Sequence, residues 1–151
     1  SAQDTSLDAF ESIMRINVAA AQVVTNAVAD SLKAGSFGRV VNIASIAALV
    51  TRPGVAAYAA SKAALIGLTR VQALEFAASN VLVNAVCPSY TETEMLMALD
   101  EDKRMQLRAK VPLGRFCHPI EVSQLVCFLL SSDNSYITGQ ALVIDGGVTI
   151  Q

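Results

Sequence analysis

One histidine, His118, and three cysteines, Cys87, Cys117 and Cys127, are the chain's whole supply of soft metal ligands. Their number and spacing do not suit a zinc site, so no metal is expected. An odd set of thiols builds no disulfide framework, and reduced cysteines suit a cytoplasmic protein. Basic residues are few as well, 11 against 13 acidic ones, for a net charge of −2. Without a basic cluster, nucleic acid is not an expected partner. No apolar run reaches the roughly 18 residues of a membrane helix, so no membrane contact is expected either. Yet 53% of the residues are hydrophobic, and the mean hydropathy is +0.47. That apolar excess is expected to meet other protein, either a partner subunit or a further segment. Residues 1–20 lack the basic start and apolar core of a secretory leader, and the chain begins at Ser1 without a methionine.

What is present reads as alternating helices and strands within the 151 residues of one domain. Thr5 and Ser6 are candidate caps for a first helix, with Asp8 and Glu11 in its opening turns. Apolar residues recur at helical spacing through Phe10, Ile13, Met14, Val18, Ala21 and Val24, and Gly35 ends the helix. Arg39 to Ser45 is short, β-branched and nearly continuous, which predicts a strand buried on both faces. A loop with Pro53 and Gly54 leads to a long alanine-rich helix over about residues 57–78. A second buried strand spans Val81 to Val86 and stops at Pro88. Residues 89–112 hold a short helix, roughly 94–109, with the mixed-charge run Asp100 to Arg104 at a solvated helix start. Pro119 opens a helix to about Leu130, and Ala141 to Ile144 forms the last strand before the Gly146-Gly147 turn. The order α-β-α-β-α-α-β predicts an α/β fold with a parallel sheet. The first strand is apolar on both sides and has no strand before it. As an edge it would be an aggregation liability, so further strands are expected beside it.

Tyr58 and Lys62 stand four residues apart and share one helix face. A lysine ammonium beside a phenol favours the phenolate, which makes Tyr58 a candidate general acid/base. Small residues surround it in Ala56-Ala-Tyr58-Ala-Ala-Ser-Lys62, so a flat ring could approach the helix closely. Ser45 ends a predicted strand thirteen residues earlier, and ligands of open α/β sheets bind at the carboxyl ends of strands. Its hydroxyl could hold a carbonyl or alkoxide oxygen, though a plain turn residue would read the same. Asn17, inside an apolar helix, implies a buried amide or a water contact.

Taken together these residues resemble the short-chain dehydrogenase/reductase family, in the branch with shorter chains. The resemblance runs through Asn17-Val-Ala, the strand Val-Val-Asn-Ile-Ala-Ser45, the Tyr58/Lys62 helix and Val83-Asn-Ala-Val-Cys-Pro88. It continues in Pro112-Leu-Gly-Arg-Phe116, Tyr136-Ile-Thr-Gly-Gln140 and Asp145-Gly-Gly147. It implies a catalytic tetrad of Asn17, Ser45, Tyr58 and Lys62. In it Tyr58 moves the proton, Ser45 polarises the substrate oxygen, Lys62 supports Tyr58 and the nicotinamide ribose, and Asn17 holds a relay water. It also implies NAD or NADP as cofactor, contacted by Tyr58, Lys62, Pro88, Thr91 and Thr93. The expected substrate is a small alcohol or carbonyl compound, and the expected assembly is a homo-oligomer, dimer or tetramer. Ser89 and Thr91 depart from the family's usual Gly and Ile/Val in this loop.

The family's glycine-rich dinucleotide loop, its NAD/NADP-selecting residue and its Asn-Asn-Ala-Gly segment are all missing from these 151 residues. The resemblance therefore implies the C-terminal half of a Rossmann-like doubly wound sheet, three strands with flanking helices. Two readings stay open. One is the catalytic half of an alcohol/carbonyl oxidoreductase. The other is a truncated, non-catalytic fragment that serves only in subunit assembly. An epimerase or dehydratase of the family's extended branch fits less well, because the chain closes soon after Asp145-Gly-Gly147.

Overall fold

A computed structural model describes residues 2–150. It contains a three-stranded parallel sheet in the order β1 (Gly38–Ile43), β2 (Val81–Pro88), β3 (Ala141–Ile144). Gly38 pairs with Val81 and Ala85 with Ala141. Helix α3 (Ala56–Phe76) carries the chain from β1 to β2, as parallel neighbours require. Helices α4 (Glu94–Met97), α5 (Glu101–Arg108) and α6 (Pro119–Leu130) carry it from β2 to β3.

The odd-numbered residues of β2 form the core with the preceding helices. Val81 and Val83 pack with Ala73 and Phe76, and with Ala29 and Leu32 from α2 (Ala20–Ala34). Ala85 and Cys87 pack with Ala44 and Ile66. Side chains alternate along a strand, so the even-numbered residues point to the other face, where α6 packs against β1 and β2. Helices on both faces make this part of a doubly wound sheet. The central strand is buried from Val81 through Cys87, as its continuous apolar run predicts. β1 differs from expectation: it pairs on one side only, and Ile43 is 45% exposed. A strand at the edge of the described sheet has no neighbour to cover it.

The first helix is interrupted. α1 (Leu7–Met14), capped by Ser6 through a 3.2 Å bond from the Ala9 N–H, runs into a π turn over Arg15–Ala19 before α2 begins. A π turn takes up one residue more than an α turn. The apolar stripe expected through Val24 therefore moves on. Val24 and Val28 are exposed, while Thr25 is buried and Ala29 reaches the core. Leu7, Ile16, Val23, Val71 and Leu74 are also exposed on these helices. The helix expected over residues 94–109 is two helices, because Asp100 accepts a 2.7 Å bond from the Lys103 N–H and caps α5 instead of continuing α4. No helix among the described residues is long and apolar enough to cross a membrane.

Candidate active site

Past the carboxyl ends of β1 and β2 lies a cleft of about 350 Å³. Ser45, Tyr58, Pro88 and Ser89 line it together. Ser45 arrives there because β1 ends just before it. Its hydroxyl accepts a 3.1 Å bond from the Ala47 N–H and starts a 3₁₀ turn, Ile46–Ala48. That bond uses a lone pair and leaves the Ser45 O–H free to donate. Tyr58 sits in the first turn of α3 and is 40% exposed, and its hydroxyl bonds to no other described residue. A phenol held against a cleft without a protein partner is set to meet a ligand.

One helical turn further, Lys62 extends beneath the tyrosine. Its Nζ lies 5.7 Å from the Tyr58 ring centroid and donates a 2.8 Å bond to the Ile43 carbonyl. This is cation–π range. Burial pulls the Lys62 pKa below the usual lysine range, and negative charge on Cys87 would oppose that. Burial pushes the Cys87 thiol up, against the Ser45 backbone hydrogen bond and the Lys62 charge, so Cys87 stays a neutral thiol under the site. The depressed lysine sets a pH dependence. Folding penalises the charged form, so the penalty is fully present below the folded pKa. It fades as pH rises toward the ordinary lysine value, where the unfolded chain holds the extra proton. Wild type should therefore gain stability relative to Lys62→Met as pH rises through that window. Denaturant unfolding of both proteins from neutral pH upward checks it, and parallel stability curves would refute the buried-charge account.

Asn17 lies away from the cleft, within the π turn. Its Nδ2 donates a 2.9 Å bond to Ser61 Oγ, and Ser61 in turn donates a 2.7 Å bond to the Tyr58 carbonyl. Ser61 is completely buried. Asn17 is thus tied to the backbone of the tyrosine rather than to its hydroxyl. Ser61 is the residue that sequence reasoning passed over. Its position one before Lys62, on the inward face, was the available signal.

The loop after β2 is held from the far side. Thr91 pairs with Cys117 in an isolated bridge, and the Cys117 N–H donates to the Tyr90 carbonyl at 2.9 Å. His118 Nδ1 lies 2.7 Å from Glu92, while Arg115 grips Glu121 with two 2.7 Å bonds. The Arg115 hydrogen bond is the main cause holding the Glu121 carboxyl down to about 2. Thr93 accepts a long 3.5 Å bond from the Leu96 N–H as the cap of α4. Neither Thr91 nor Thr93 lines the cleft; both sit on the loop that leads out of it. Ser89 lines the cleft, and its Oγ is buried without a hydrogen-bond partner.

The chain matches a family model described as enoyl-(acyl carrier protein) reductase over residues 1–149. It is 40% identical over 141 residues to the 3-oxoacyl-(acyl-carrier-protein) reductase of Thermotoga maritima, covering 93% of this chain and 57% of that protein. It is 40% identical over 147 residues to a short-chain type dehydrogenase/reductase of Sinorhizobium fredii, covering 95% of this chain and 26% of that protein. Among solved structures, a Beutenbergia cavernae protein described as an NAD(P) dependent gluconate 5-dehydrogenase, with NADP bound at low occupancy, superposes with a TM-score of 0.93 at 38% identity. That match covers 99% of this chain and 61% of that one. The chain thus spans little more than half the length of the first of these relatives. With the family model matched over residues 1–149, the chain belongs to the short-chain dehydrogenase/reductase family.

Proposed function

We propose that this chain carries the catalytic half of an NAD(P)(H)-dependent oxidoreductase that interconverts an alcohol and a carbonyl, with Tyr58 as general acid/base. The observation that carries the reading is the cleft itself. It joins an unpartnered tyrosine hydroxyl and a serine hydroxyl free to donate, with the half-buried Lys62 beside the tyrosine ring. The Ser45 O–H holds the substrate oxygen. The Tyr58 O–H gives that oxygen its proton in reduction and takes it back in oxidation. Lys62 lowers the cost of the phenolate that results.

The residues present fit the nicotinamide end of the cofactor. Lys62 and Tyr58 would hold the nicotinamide ribose, and Pro88, Ser89, Thr91 and Thr93, on the strand end and loop that follow β2, would hold the nicotinamide. Nicotinamide, when bound, supplies or accepts the hydride. The pyrophosphate needs a glycine-rich turn at a helix N-terminus. These 151 residues contain no such motif, and the open side of β1 is where a neighbouring strand would bring one. The apolar outer faces of α1–α3 favour the second reading, a chain active only in assembly. Cofactor titration by calorimetry, followed by turnover of NADH or NADPH with a 3-oxoacyl thioester, or of NAD+ or NADP+ with gluconate, decides between them. Binding without turnover of any carbonyl or alcohol would leave the assembly reading. The exposed apolar residues on α1–α3 also support a homo-oligomer, which a monomer in light scattering at micromolar concentration would refute.

A further inference from the structure

We propose that the cleft selects a substrate bearing an oxyanion, carboxylate or phosphate, and that Arg52 is the residue that recognises it. The proposal rests on the oxidoreductase reading, which assigns the reacting end of the same cleft to Ser45 and Tyr58. Among the described residues, Arg52 and Lys110 are the charged ones lining the cleft, and no aspartate or glutamate lines it. This single-sign lining occurs in a chain of net charge −2. Like charges in a walled cleft focus potential and raise the local concentration of an oppositely charged ligand.

Arg52 is uncommitted. It has no hydrogen bond or ion pair with any described residue, whereas Arg39 donates to the Asn134 carbonyl, Arg104 to Met97 and Arg115 to Glu121. The loop that carries it is shaped locally. Pro53 fixes its own φ, and Gly54 takes φ +89°, a value that side chains rarely tolerate. A planar guanidinium presents paired donors that match a carboxylate or phosphate in two-point fashion. At about 350 Å³ the cleft is at the low end of small-molecule sites, roughly 300–1,000 Å³. One compact molecule therefore fits in the cleft that Tyr58 and Arg52 both line.

The test is equilibrium binding, read by NMR titration of the full chain with two matched pairs of probes. One pair is acetoacetate and neutral methyl acetoacetate. The other is dihydroxyacetone phosphate and neutral dihydroxyacetone. The anion of at least one pair should bind about tenfold more tightly than its neutral partner, as a charge-assisted hydrogen bond allows. The pair that shows the larger ratio identifies the oxyanion as carboxylate or phosphate. Arg52→Ala should bring the ratio close to one without changing the neutral probe's Kd, and Arg52→Lys should keep part of it. Equal binding within both pairs, no binding at millimolar concentration, or a preference that survives Arg52→Ala would each overturn the proposal. Because binding is read and not turnover, this result stands or falls independently of whether Tyr58 moves a proton.

Discussion

Tyr58→Phe should lower turnover by roughly 10²–10⁴-fold, the range that a positioned general acid/base contributes, while the melting temperature stays near that of wild type. The asymmetry follows from the local structure. The Tyr58 hydroxyl has no protein partner, so its removal orphans no donor or acceptor, and the ring remains in place on α3. The ring's contact with Lys62 also survives, because phenylalanine keeps the same face. Only the proton that the reaction needs is lost. The comparison belongs in a preparation with measurable wild-type turnover, with kcat read at saturating cofactor and thermal unfolding run alongside. Wild-type turnover in the variant would remove Tyr58 from its assigned role. A large fall in melting temperature would instead show that the phenol is structural.

The largest effect on stability should come from a residue outside the cleft. Asn84→Ala should cost about 2–4 kcal/mol, from lost hydrogen bonds, an orphaned donor and a small cavity. Asn84 sits mid-strand in β2 at 1% exposure, a costly place for an amide. Its Nδ2 donates to the Ile137 carbonyl at 2.7 Å, and its Oδ1 accepts from the Gln140 N–H at 3.1 Å. Those bonds tether the segment before β3 to the central strand. Asn134 also donates to the Ile137 carbonyl, at 3.3 Å, so that acceptor keeps a partner. The Gln140 N–H loses its side-chain acceptor. For a domain of this size the melting temperature should fall by about 5–15 °C, as differential scanning calorimetry would show. A shift within about 2 °C, less than 1 kcal/mol on the same scale, would mean that water replaces the amide at no net cost.

The parts of this molecule legible in the sequence are those set by local pattern. β2 is a continuous apolar run and is buried throughout. Ser6, Gly35 and Pro119 mark helix ends because capping is chemistry between near neighbours. Ser45, Tyr58 and Lys62 could be placed together because a strand end and a helix face are enough to do it. What escaped depends on the third dimension. The π turn leaves no mark in hydrophobic spacing until the core shows which side each residue faces. The break at Asp100 was readable as a cap, yet the periodicity on either side continued across it. Ser61 and Asn17 meet across 44 positions of chain, and Arg52 gained meaning only when the described residues of the cleft wall included no aspartate or glutamate. β1 looked like a central strand from its residues, and in the described sheet it stands at the edge.

Counted in angle instead of residues, the π turn over Arg15–Ala19 has a further consequence. Each helical residue advances the chain by about 100°, so one additional residue turns everything after it by more than a quarter revolution relative to everything before. Asn17, inside that turn, meets Ser61 and so braces the backbone of Tyr58. Val24 and Val28, beyond it, swing outward and leave Thr25 and Ala29 to face the core. The chemistry of the cleft and the shape of the outer surface are therefore set by one local twist, and neither can change its phase without moving the other.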